Sequence, residues 1–112
     1  MPKPTDRAYS AYSREALALL GQMIRLGRTE RKISAGELAA RAGISRALLQ
    51  RIESGSPGSA IGAVFEAAAI AGVKLFEAGP QSLADQLAAT QGKLALLPRA
   101  ARKAKQALHD DF

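Results

Sequence analysis

The stretch ELAARAGISRALLQRIESG, Glu37 to Gly55, holds two short apolar patterns of helical period with one glycine between them. Leu38, Ala39 and Ala42 share the face of a first helix; Leu48, Leu49 and Ile52 share the face of a second. Gly43 belongs to neither, because a left-handed residue that closes a helix is cheap only for glycine. Ile44-Ser45 then restarts the chain: Ser45 is a natural N-cap, and Ile44 before it is placed to staple onto Leu49. Upstream, Ser34-Ala35-Gly36-Glu37 reads as a capping box, with the Ser hydroxyl accepting the Glu37 N–H and the carboxylate returning to the Ser34 N–H. The sequence therefore predicts helices over 35–42 and from Ser45 to about Ser54, joined by a tight turn.

Working outward, Leu17, Leu20 and Ile24 predict an earlier helix that begins near Arg14 or Glu15, its regularity strained by Gly27. Residues 1–13, with two prolines and no periodicity, read as a flexible arm. Gly55-Ser56-Pro57-Gly58 is a loop by composition. Ser59 is placed to cap a fourth helix in which Ile61, Val64, Phe65 and Ala68 share a face, with Gly72 at its end. Val73, Leu75 and Glu77 alternate, which fits either one short strand pairing across a dimer or a frayed extended segment. From Ser82 a further helix follows, with Leu83, Leu87, Leu94 and Leu97 in step and Thr90 in the gap, limited by Gly92 and Pro98. The end of the chain carries Arg99, Arg102, Lys103 and Lys105, then Asp110 and Asp111, and reads as partial helix or disorder. The expected domains are an arm (1–13), a helical domain (14–79) and an extension (80–112).

Bulk properties agree. The chain has 112 residues and no cysteine, enough for one domain with a tail and without disulfides or thiolate chemistry. Apolar residues are plentiful at 47% but only 4% are aromatic, and Ala supplies much of the rest, so the expected class is all-α. The net charge of +6 favours an anionic partner such as nucleic acid or an acidic protein surface. No signal peptide or membrane-spanning run is visible, since ALALLGQMIRLGR is broken by Gln22 and Arg25; a soluble cytoplasmic protein is expected. Catalysis finds little footing: His109 is the only histidine and sits in the charged tail, Asp110-Asp111 read as a solvated end, and no phosphate-cradling glycine loop is present. Neither a cofactor nor a metal is expected.

The second helix of the pair carries Arg46, Ala47, Gln50 and Arg51 opposite its apolar face. A B-DNA major groove admits one α-helix; there Arg can bridge guanine O6 and N7, Gln can bridge adenine N6 and N7, and Ala47 can touch a thymine methyl. Each such side chain alone reads as readily as a solvated surface. Set in two capped helices around Gly43, they point together to DNA.

The stretch IRLGRTERKISAGELAARAGISRALLQRIESG resembles the Cro/C1-type (XRE) helix-turn-helix regulators, with Leu38-Ala39, Gly43, Ile44, Leu49, Ile52, Glu53 and Gly55 in register. The resemblance implies a four- to five-helix, lambda-repressor-like bundle that binds palindromic double-stranded operators as a homodimer. It places base contacts at Arg46, Ala47, Gln50 and Arg51, and pairs Arg28 with Glu53 in a structural salt bridge. Phosphate contacts are expected from the helix start at Ala35, from Arg25, Arg41 and Ser45, and from the loop Ser54-Gly55-Ser56. One departure stands out: the family commonly has Gln or Asn where this chain has Ala35, leaving only backbone N–H groups there.

The overall layout is also similar to HipB-like antitoxins, which repress their own operon and hold a HipA-type kinase toxin; a stand-alone repressor is the alternative. A toxin would take Leu94, Leu96, Leu97 and Phe112 as anchors. A dimerisation helix built on Leu83, Leu87 and Leu94 fits the same stretch equally well. A protein-interaction module on the same fold, or RNA binding, is a weaker reading, since few aromatics are present for base stacking.

Overall fold

The computed structural model describes residues 8–76 and 80–98, which fall into two compact units dividing after Leu75. The expectations for His109, Asp110, Asp111, Phe112, Glu77 and the basic residues from Arg99 onward lie outside the described residues.

The first unit holds four helices: α1 (Ala11–Glu30), α2 (Ala35–Ala42), α3 (Arg46–Glu53) and α4 (Ile61–Ile70). The helix pair stands where the sequence put it, α2 to the residue. Ser34 Oγ accepts the Glu37 N–H at 3.1 Å and Ser45 Oγ accepts the Leu48 N–H at 3.0 Å, each satisfying a first-turn donor with no partner inside its helix. The capping box at Ser34 is made in that half only, because the Glu37 carboxylate turns instead to Arg41 one helical turn on.

A single device ends all four helices. At Gly43 (φ 70°) the Gly43 N–H reaches Ala40 O and the Ile44 N–H reaches Ala39 O, the crossed pair of bonds that closes a helix through one left-handed residue. The same pattern recurs at Gly55 and Gly72. At the end of α1 the left-handed residue is Lys32 (φ 57°), the one non-glycine in that conformation among the described residues.

Ile24, Leu38 and Leu49 are the largest fully buried side chains; Ile33, Ala39, Ile52, Ala67, Ala68 and Ala71 complete the core. Leu20, Ile44, Leu48, Val64, Val73 and Leu75 pack against it. Two glycines set how tightly the helices approach. A Cβ on Gly21 would lie 2.5 Å from Glu53 O and 2.6 Å from Ile52 O, and one on Gly27 would strike Ala71 O. Gly27 leaves α1 unbroken and admits the end of α4 against the helix.

Several boundaries and faces differ from the sequence reading. α1 starts at Ala11, capped by Ser10 Oγ on the Ser13 N–H, so the last three residues of the expected arm are helical. α4 begins one residue later than expected: Ala60 occupies the capping position without a side-chain bond, and the hydroxyl of Ser59 is buried without a partner. Its buried face is Ala67, Ala68 and Ala71 rather than the larger set, for Ile61 and Phe65 stay exposed. Close packing against backbone favours the small side chains there. Residues 73–76 form no strand; Val73 and Leu75 turn into the core instead.

The second unit contributes α5 (Pro80–Ala95), starting two residues before the expected Ser82. Every residue from 82 to 98 is exposed. Among the described residues no helix is long and apolar enough to cross a membrane.

Candidate nucleic-acid interface

The recognition surface begins with the amphipathic split of α3. Leu49 and Ile52 are buried and Leu48 is half-buried, so rotation around the helix leaves Arg46, Ala47, Gln50 and Arg51 in solvent. Sequence reasoning named these four, and the structure puts all of them on the outer face.

The C-terminal end of α3 is pinned by Arg28. Its Nε and Nη2 donate to Glu53 Oε2 and Oε1 at 2.6 and 3.0 Å, and its Nη1 donates to Ile33 O at 3.3 Å. The two side chains are only 16% and 10% exposed, so this forked pair works in a medium that screens it weakly. The bond to Glu53 holds the Arg28 guanidinium more firmly charged than usual, against the opposing effect of burial. One guanidinium thus joins α1, the turn after it and α3, and fixes the angle at which α3 is presented. The pairing expected from the family register is present.

Between α1, the start of α2 and the outer face of α3 lies a cleft of about 650 Å³, lined by Arg25, Arg28, Ala35, Arg46, Ala47, Gln50 and Ser54 with Leu49 and Glu53 at its floor. Glu53 is neutralised by Arg28, leaving Arg25 and Arg46 as the uncompensated charges along it. Arg46 lies across the first turn of α2: a Cβ on Gly36 would stand 3.7 Å from its Cδ and Nε. The first backbone N–H groups of α2, at Ala35 and Gly36, have no acceptor within their own helix. Donors and positive charge therefore line this opening, as an anionic backbone requires.

Not every residue of the expected set joins it. Arg51 is exposed on α3 but lies outside the cleft, and Arg41 pairs with Glu37 on the far turn of α2. The loop after α3 spends its donors within the fold. The Ser54, Gly55 and Ser56 N–H groups donate to Gln50 O, Ile52 O and Arg51 O, and the Ser54 hydroxyl donates to Arg51 O. These donors close α3 and are not available to a phosphate. Gly55 has a packing role instead, since a Cβ there would fall 2.9 Å from Ala18 Cα.

The parts that sequence reasoning missed are the glycines of α1 and the small residues of α4. Their one visible signal was position: Gly21 and Gly27 fall on the same stripe as Leu17, Leu20 and Ile24, where a missing side chain means a close neighbour.

Residues 24–77 match the helix-turn-helix family model of the Cro/C1 (XRE) type. The match starts midway along α1, spans the Arg28–Glu53 pair and α2 to α4, and stops short of α5. No curated protein matches the chain. With its two capped helices, its left-handed glycine turn and its exposed third helix all inside the matched region, residues 24–77 form a Cro/C1-type helix-turn-helix domain of the kind found in DNA-binding regulators.

Proposed function

We propose that the protein is a sequence-specific transcriptional repressor that acts by occupying a palindromic operator as a homodimer, with α3 seated in the major groove. The observation that carries this reading is the outer face of α3, where Arg46, Ala47, Gln50 and Arg51 stand free while Arg28 and Glu53 lock the helix from behind. Gln50 and Arg51 are the natural base readers, with Ala47 giving methyl contact. Arg46 stands between that row and the first turn of α2 and serves both. Phosphates are held by Arg25, by the free N–H groups at Ala35 and by the Ser45 hydroxyl, which keeps its own proton to donate after accepting from Leu48. Arg41 reaches a phosphate on exchanging its pairing with Glu37. The Ser56 hydroxyl is the remaining donor of the loop.

The test is binding of the whole protein to the duplex upstream of its own gene and to a scrambled duplex of equal length, titrated with salt. Preference for the native duplex of about a thousandfold or more at fixed salt supports an autoregulatory operator binder. Equal, steeply salt-dependent affinity for both would reduce the interaction to counterion release and sink the proposal.

A second reading goes further: the protein is the antitoxin of a HipBA-like pair. Its support is the run of exposed leucines on and after α5, Leu94, Leu96 and Leu97. Co-expression with a HipA-type kinase encoded beside the gene decides this. Restored growth together with a stable complex supports it; unrelieved toxicity or the absence of such a complex removes it.

A further inference from the structure

We infer that Arg46 reads no base: it holds a DNA phosphate beside the first turn of α2, and base recognition falls to Ala47, Gln50 and Arg51. This rests on the operator-binding reading above and divides its contacts. Arg46 is the first residue of α3. Side chains on a helix lean toward its N-terminus, so that of Arg46 runs off the start of α3 rather than along its outer face. Its path is visible at Gly36. A Cβ there would stand 3.7 Å from Arg46 Cδ and Nε and 3.9 Å from its Cζ, so the guanidinium arm lies across α2. Gly36 has no side chain to push that arm aside.

Charge decides what the arm holds. Arg46 is exposed, and among the described residues no carboxylate pairs with it. Glu53, the one carboxylate lining the cleft, is taken at both oxygens by Arg28. Arg25 lines the same cleft from α1 and is likewise unpaired. Two bare guanidinium groups on one opening favour an anion there. Ala35 and Gly36 bring no side chain able to reach a phosphate at that edge, so the long arm of Arg46 supplies the contact. A guanidinium meets phosphate with the same fork of N–H groups that it offers to guanine O6 and N7. Position, not chemistry, chooses between the two. Ala47, Gln50 and Arg51 stand three and four residues apart on α3 and form one patch without Arg46. Each half-site therefore holds fewer base pairs read by the protein than the exposed face of α3 suggests.

The test is duplex binding by the parent, Arg46→Ala and Arg46→Lys. Each is titrated with salt on the protein's own upstream duplex, on its single-base-pair variants and on a scrambled duplex. Arg46→Ala should lose about tenfold or more in affinity on every duplex alike. It should keep the parent's order of preferences and show a salt slope smaller by about one. Arg46→Lys, a point charge still able to hold a phosphate, should keep the slope and most of the affinity. Three results would overturn the assignment: loss of preference at one base pair per half-site with the slope unchanged, an Arg46→Ala variant that binds like the parent, or an Arg46→Lys variant with the reduced slope of Arg46→Ala. The scrambled duplex keeps the two readings apart. A parent without preference for its own duplex sinks the operator reading, while the slope on the scrambled duplex still decides the role of Arg46.

Discussion

The four-helix unit and α5 use similar amino acids to opposite ends. Both are rich in Ala and Leu, and each helix carries a regular apolar stripe. In the first unit those stripes meet: Ile24, Leu38 and Leu49 are sealed from solvent, and glycines in α1 let backbone approach backbone. In α5 the stripe is intact and faces water. Apolar periodicity thus specifies a helix and a face, but it does not say whether the cover comes from the same chain. What distinguishes the two regions among the described residues is cover: Gly21 and Gly27 sit against backbone of their own unit and Ala67, Ala68 and Ala71 are buried, whereas nothing between residues 82 and 98 is buried.

The largest expected effect separates the regions directly. Leu38→Ala should lower the unfolding free energy by about 3 kcal/mol through a cavity in a sealed core. Leu94→Ala in α5 should leave the thermal transition of the helix-turn-helix unit where it is. Calorimetry of the two variants checks the pair, and a large shift from Leu94→Ala would break the contrast. Next comes the pin behind α3. Glu53→Gln should cost about 2 kcal/mol by leaving Arg28 buried beside a neutral group, measured by chemical denaturation, whereas Asp85→Asn on α5 should cost nothing measurable.

Smaller gains should come from helix ends that the sequence left unfinished. Ala60→Ser supplies α4 with the missing cap and should stabilise the first unit by about 1 kcal/mol. Lys32→Gly relieves the one left-handed non-glycine at a net gain of about 0.5 kcal/mol, since the glycine's extra freedom in the unfolded chain offsets part of the relief. Both are read from denaturant midpoints, and a loss of stability in either would show that the end of that helix is held by something other than its backbone bonds.

These unfinished ends also show where sequence reasoning succeeds. Gly43 and Ser45 were legible because turn and cap chemistry is local, decided within four or five residues. Arg46, Ala47, Gln50 and Arg51 were legible as an exposed face because the opposite face of α3 is so plainly apolar. The Arg28–Glu53 pair, twenty-five residues apart, was reached only through family register, for no local rule joins such positions. The internal bonds of the Ser54, Gly55 and Ser56 N–H groups were not legible, because composition marks a loop without telling which of its N–H groups the preceding helix has already taken. The face of α4 was misjudged for a related reason: size suggested Ile61 and Phe65, but the core side is filled by alanines, with Ala71 against Gly27 of α1.

The central claim, that α3 reads bases while the cleft beside it holds the phosphate backbone, is tested most directly by one base-pair scan. Affinities of the parent and of Gln50→Ala would be measured across single-base-pair variants of the protein's own upstream duplex at fixed salt. Direct reading predicts that Gln50→Ala abolishes discrimination at one base pair in each half-site, worth about 1–3 kcal/mol, and leaves discrimination at every other position unchanged. A uniform loss of affinity across all variants, with the parent's pattern of preferences preserved, would contradict it and remove α3 from the major groove.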